Sequence, residues 1–368
     1  MFSFRQIDGA VTGEMTLSGD EMAEGTSAAD SARLRAVPKV ELHLHLEGAI
    51  PHDALFSLIQ KYGGDPAVRG AADIAARFRF RDFPHFIAMW LWKNGFLRAY
   101  DDFALIAEAM AHELVAENVK YAEVFFSPAR FLSQGLEPAA LAKAIRDGLD
   151  RVPTVEVALI PDLVRDLGPE QAMAMLDPVA EVAREAGIIG IGMGGSEHTY
   201  PPEPFAAAFA RARALGLRTT VHAGEAAGAE SIRGALDALQ AERIGHGLRA
   251  EEDSALLDRL ATARVPLEMC PLSNVATGVT RAIGEHPIRR YFDRGLMVTV
   301  STDDPGMFGN SMTDELMVLR ERFRFTAAEL KQLQLNAAAA AFQPAGWVKA
   351  LADRIAADPA WDALACES

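Results

Sequence analysis

Eight short runs of β-forming residues recur along this chain with helix-like spacing between them, and that rhythm confines the fold more than any other feature. The runs are residues 39–46, 121–126, 155–160, 188–193, 218–222, 243–246, 265–270 and 297–301. Most are continuously apolar, as strands covered on both faces must be, and strands that alternate with helices assemble into a parallel sheet. Eight of them close a ring, so the expected fold is α/β, a (β/α)8 TIM barrel. With 368 residues, half of them apolar, the chain is long for one barrel and short for two ordinary domains. The reading is one barrel domain over residues 37–368, with a helical insert after the first strand, residues 51–120, acting as a lid. The insert contains FRFRDFPHFIAMWLW, too apolar for a linker, and Phe83, Phe86, Trp90 and Trp92 are its candidates for lining the barrel mouth. Residues 326–365 are Ala-rich and helical in pattern, suited to sealing one side or end. Residues 1–36 mix Gly, Ser, Thr, Asp and Glu without a sustained apolar run and are expected to form a flexible extension.

Charge and composition narrow the partners. The chain carries 36 Lys plus Arg against 51 Asp plus Glu, a net charge of -15, which repels nucleic acid and anionic membrane alike. No run of about 18 apolar residues offers a membrane span. The first residues also lack the basic start and apolar core of a secretory signal. Cys270 and Cys366 stand far apart, so neither a disulfide framework nor a cysteine-based zinc site is indicated, and the expected location is cytoplasmic. There is no G-x-x-x-x-G-K-[ST] loop, which disfavours a nucleotide triphosphatase.

The chemistry-bearing residues gather at the C-terminal ends of the proposed strands, where barrel active sites are built. In ELHLHLEG, His43 and His45 are two apart on a strand and share a face, so both can reach one ion. TVHAGEAAG ends a strand on His222 and places Glu225 on the turn beyond. RIGHG brackets His246 with glycines, and VTVSTDDPG runs into Asp303 and Asp304 before Pro305 stops it. A single histidine at a strand end is ordinarily structural, and an Asp-Asp-Pro run is ordinarily a turn. Four such clusters on strands one, five, six and eight are another matter. Three imidazoles and one carboxylate, His43, His45, His222 and Asp303, suit one zinc ion and leave room for a water whose pKa falls to roughly 7. Glu225 is the candidate general acid, with His246 and Asp304 orienting the nucleophile.

These segments, ELHLHLEGAI, GIGMGGSE, VHAGEAAG, RIGHG, CPLSNV and STDDPGMFG, resemble those of the adenosine deaminase family, in the family's order and over residues 37–316. The resemblance implies zinc-dependent hydrolytic deamination of a small 6-aminopurine, with adenosine to inosine as the first expectation and adenine or aminodeoxyfutalosine as alternatives. It implies that Glu225 protonates N1 while hydroxide attacks C6, that His246 orients the hydroxide, and that Asp304 holds it and meets N7. Gly195 would offer its backbone N–H to N3. His45 and Glu47 complete the implied substrate contacts, Glu47 standing where the family has an acid beside the ribose. There are departures: Glu47 is an Asp in adenosine-specific members, and where those often read D-L-A-G-D-E this chain has Gly192, Met193, Gly194, Gly195, Ser196 and Glu197, with Ser196 replacing an Asp.

Three competing classes fit less well. Binuclear barrel hydrolases need a bridging Lys or Glu at the fourth strand, where this chain has Met193, Gly194 and Gly195. Deaminases acting on flipped bases use H-x-E and P-C-x-x-C, both absent. A non-catalytic purine-binding relative would be expected to have lost a ligand or Glu225, and none is lost.

Overall fold

The computed structural model describes residues 28–81 and 83–365. Its strands are β1 (Lys39–His45), β2 (Val119–Phe126), β3 (Glu156–Val164), β4 (Gly190–Gly194), β5 (Arg218–Ala223), β6 (Arg243–His246), β7 (Leu267–Met269) and β8 (Val298–Val300). They lie in sequential order, each parallel to the next. The ring closes just past β8, where the Asp303 N–H donates to the His43 carbonyl at 3.1 Å and the His45 N–H to the Asp303 carbonyl at 2.9 Å. Closure thus takes place at the level of the candidate site and fixes Asp303 against both histidines of β1. This is the expected (β/α)8 barrel.

Two strands depart from the simple pattern, and both departures shape the site. On β1 the register passes from Glu41 opposite Ala122 to Leu44 opposite Val124, three residues against two, which is a β-bulge. Ser301 Oγ accepts the Leu42 and His43 N–H groups that the bulge frees. The bulge interrupts the alternation, so Glu41 turns to Thr302, accepting its N–H at 2.9 Å, instead of joining His43. On β3 the strand does not stop at residue 160 but runs through Pro161 to Val164. Pro161 is the last partner of β2, and Asp162 is the first partner of β4. The proline lies at the handover between two ladders, where its missing N–H breaks neither.

The insert after β1 is helical as expected. Preceded by α1 (Ala28–Ala36), it comprises α2 (His52–Lys61), α3 (Ala71–Arg77), α4 (Phe83–Asn94) and α5 (Tyr100–Ala116). Lys93, near the end of α4, is buried and donates to the Glu47 carbonyl at 2.6 Å and to Asn94 Oδ1 at 2.8 Å, which ties the insert to the end of β1. Phe86 stacks on Phe308, in the short helix Pro305–Phe308 after β8, at 5.6 Å between ring centres. Trp92 belongs to the insert's own core, edge-on to Phe78 and Phe96. Trp90 lies beneath the Lys93 ammonium and the Arg130 guanidinium. The Phe83 side chain falls outside the described residues.

Residues 28–36, assigned to the extension by their composition, instead form α1, which buries Leu34 and accepts Lys39 Nζ at the Arg35 carbonyl. Residues 1–27 lie outside the described part of the chain. At the other end, the helix Ala327–Ala340 seals the barrel's side: Gln334 accepts the Val40 N–H and Asn336 donates to the Val298 carbonyl. Beyond it, Phe342 closes the base against Arg218 and Arg243, which begin β5 and β6. No described helix is long and apolar enough to cross a membrane.

Candidate active site

At the C-terminal mouth the residues expected from sequence converge. Donor atoms of His43, His222, His246 and Asp303 lie within 4.8 Å of one another. His45 Nε2 is 3.1 Å from His222 Nε2 and 3.3 Å from Asp303 Oδ1. Proximity alone would therefore admit five donors, and hydrogen bonding on the far side of the His43, His222 and His246 rings distinguishes those three. His43 Nδ1 faces Glu268 Oε2 at 2.9 Å and His222 Nδ1 faces the Met193 carbonyl at 3.1 Å. Both partners only accept, so each Nδ1 carries the proton and each Nε2 presents a lone pair. His43 Nε2 is buried without a partner, a costly arrangement unless a cation completes it.

His246 is set the other way. The Ile288 backbone N–H can only donate, so His286 Nδ1, its partner at 3.3 Å, accepts. His286 Nε2 therefore carries its proton and donates to Asn274 Oδ1 at 3.2 Å, which turns the Asn274 NH2 toward His246 Nδ1 at 3.1 Å. His246 Nε2 is left protonated and aimed at Glu225 Oε2, 3.6 Å away. In that tautomer it offers the site a hydrogen-bond donor instead of a lone pair. Asp303 points Oδ1 at His43 and His45 while its Oδ2 accepts Ser273 Oγ at 2.6 Å. Neither His246 (φ 61°) nor Asp303 (φ 69°) is a glycine, and strained backbone of this kind persists where the surroundings impose it.

Electrostatics fit the same assignment. Burial lowers His43 and His222 well below the ordinary histidine value and His45 to about 3, with neighbouring positive charge adding to the effect. Neutral imidazoles are what a divalent ion requires. Burial, reinforced by the charge of Glu197, raises Glu225 to about 8, so at neutral pH it is a carboxylic acid with a proton to give. Asp303 is pushed up to about 6 and Asp304 well above the ordinary range, burial being the main cause for both. Asp304 Oδ1 has no partner. It lies so close to Gly48 that a Cβ there would sit 1.5 Å from it, which explains the glycine after Glu47.

Several residues that sequence left aside now acquire places. Glu268 holds His43 through one oxygen and takes Thr220 Oγ1 and Arg243 Nε on the other. Arg165, just beyond β3, is fully buried and donates to the His222 carbonyl at 2.6 Å. Gly195 follows β4 at φ 104°, and the departure at Ser196 has a partner of its own, since Asp166 accepts both its N–H and its hydroxyl. Glu197, two residues beyond Gly195, is buried. Its carboxylate accepts the backbone N–H groups of Gly224, Glu225, Ala226 and Ala227. That cradle fixes the turn on which Glu225 rides. A Glu197→Gln variant loses one acceptor oxygen and turns an NH2 toward amides that also donate. It is expected to lose about 10–100-fold in kcat/KM while keeping its metal, which steady-state kinetics with metal analysis would check.

Comparison with known proteins places the whole assembly. The adenosine deaminase family model matches residues 38–358. The chain belongs to the adenosine deaminase family. It is a metal-dependent aminohydrolase of the amidohydrolase superfamily. Among its relatives, the adenine deaminase of Cupriavidus taiwanensis is 36% identical over 321 residues, covering 86% of this chain and 91% of the relative. The crystal structure of an adenine deaminase from Arthrobacter aurescens superposes with a TM-score of 0.80 at 30% identity, over 87% of this chain and 98% of that one. An amidohydrolase from Burkholderia ambifaria solved with bound zinc gives a TM-score of 0.80 at 30% identity, over 94% and 98% of the two chains.

Proposed function

We propose that this enzyme hydrolytically deaminates free adenine, releasing ammonia, with one zinc ion held by His43, His45, His222 and Asp303. The observation that carries the deaminase chemistry is Glu225: a half-buried acid, raised to about 8, beside the protonated edge of His246 and the cluster of imidazole lone pairs. The donor set of three neutral imidazoles and a carboxylate suits zinc, and the zinc-bound Burkholderia ambifaria relative supports that ion. When bound, the ion supplies Lewis-acid activation of a water.

The chain's own residues do the rest. Glu225 gives its proton to N1 of the purine, which makes C6 electrophilic. His246 Nε2–H and Asp304 orient the attacking water, and Asp304 also meets N7. The Gly195 N–H meets N3. Helices α2–α5 act as a cover over the mouth, with Lys93 fastening them to the end of β1.

Adenosine was the first expectation from sequence, and the relatives favour its alternative. The Cupriavidus taiwanensis relative and the Arthrobacter aurescens structure are named adenine deaminases, at 36% and 30% identity. Glu47 supports the same reading. It is fully buried, and its Oε1 accepts the Ser127 N–H at 2.8 Å, so the acid that the family turns to the ribose is here engaged by the backbone after β2. Ammonia release and ultraviolet change should be followed with adenine, adenosine, 2'-deoxyadenosine, N6-methyladenosine and aminodeoxyfutalosine. The expected result is a kcat/KM for adenine at least about 100-fold above that for any nucleoside. A preference for adenosine would refute the reading.

A further inference from the structure

A free 6-aminopurine differs from its nucleosides at one edge. Its N9 carries a proton, and that N–H needs an acceptor when the base leaves water. Glu225, Gly195 and Asp304 account for N1, N3 and N7 and leave N9–H unpaired.

Among the described residues, three carboxylates at the barrel mouth have a buried oxygen without a partner: Asp304, already used, Glu47 through Oε2, and Asp162 through Oδ1. Asp162 lies on β3 just beyond Pro161 and is 5% exposed. The barrel makes room for it by omitting two side chains from β4. A Cβ at Gly192 would sit 2.9 Å from Asp162 Oδ1 and 2.7 Å from the Phe125 ring, and one at Gly194 would sit 2.9 Å from Asp162 Oδ2 and 3.5 Å from the His222 ring. The unpaired oxygen therefore lies beside Phe125, whose ring stacks on His45 at 4.9 Å between centres. This is the wall of the metal site. Nothing in the metal or acid assignments uses it, and a buried carboxylate with an idle oxygen is costly to keep.

We propose that Asp162 is the specificity-determining acceptor for a free 6-aminopurine, its Oδ1 taking the N9 proton that a nucleoside lacks. This rests on the adenine reading above. Burial raises Asp162 to about 7, with the charge of Arg130 opposing and that of Glu47 adding. The carboxyl keeps an accepting oxygen in either protonation state, so the role does not depend on which form prevails.

The test uses the zinc-loaded enzyme with adenine and 9-methyladenine, and equilibrium binding of hypoxanthine and 9-methylhypoxanthine as a readout apart from turnover. The wild type should favour adenine by about 100-fold or more. Asp162→Ala should lose on the order of 10–100-fold on adenine and hypoxanthine and little on the methylated bases, so that the ratio collapses. Asp162→Asn, which retains one acceptor oxygen, should recover much of it. The proposal is overturned if Asp162→Ala keeps the wild-type ratio, or loses both bases equally with metal content intact. A wild type that handles 9-methyladenine as well as adenine overturns it without any variant, and decides the matter should the alanine variant not fold. A wild type that prefers adenosine, or ignores every base, instead refutes the adenine reading and takes this proposal with it.

Discussion

Replacing Glu225 by Gln is expected to leave the ion in place and to lower kcat by about 10^2–10^4-fold, the usual contribution of a positioned acid or base. The substitution keeps shape and volume and removes only the acidic proton. Glu225 is not among the atoms turned toward the ion, so metal content should stay near one equivalent. The pH dependence sharpens the test. Because Glu225 is raised to about 8 and acts as the protonated form, activity should be held below that value and lost as pH rises through it. The residual activity of the Gln variant should lack that alkaline limb. A variant with near wild-type turnover, or with the limb intact, would move the acid role elsewhere. A variant that lost its metal would show that Glu225 also supports the ion.

The barrel was legible because its signal is redundant. Each of eight apolar runs reports the same parallel sheet, and an error of a few residues at an end changes nothing. The metal cluster was legible for a similar reason, since His43 and His45 share a face by the period of a strand and the other donors terminate strands. What escaped depends on single residues that override a local rule. Pro161 followed by Asp162 reads as the end of a strand, yet the proline falls where neither neighbouring ladder needs its N–H, and the strand carries Asp162 and Arg165 into the mouth. The bulge in β1 is invisible in ELHLHLEG because the residue that satisfies its freed amides, Ser301, is more than 250 positions away.

Glu268 left a usable trace: a lone carboxylate inside the apolar run VPLEMC needs a buried partner, and here the partners are His43, Thr220 and Arg243. Asn274 stands in the segment CPLSNV, but nothing there ties it to His246, and His286 left no trace. Their relay to His246 exists only in three dimensions, and it is that relay which turns the His246 Nε2 proton, and not a lone pair, toward Glu225.

Substituting Asp303 should cost metal and stability together, and the backbone dictates which substitution to read. Asp303 holds φ 69°, a left-handed conformation that Asn tolerates and that costs an ordinary side chain such as Ala about 1–2 kcal/mol. An Asp303→Ala protein would therefore be weakened by strain even if the carboxylate never touched an ion. Asp303→Asn keeps the backbone preference and removes the charged ligand, so the pair separates the two effects. A bound ion stabilises the fold by about 2.7 kcal/mol when its free concentration is 100 times its Kd. The wild type should show a gap of that order between its zinc-loaded and chelated forms in denaturant titrations. Both variants should close the gap, because neither retains the charged oxygen that points at His43 and His45. Between the chelated forms, only the alanine variant should fall further. A persistent gap with full zinc content in Asp303→Asn would remove Asp303 from the ligand set and leave its bond to Ser273 and its place in the barrel closure as its whole role.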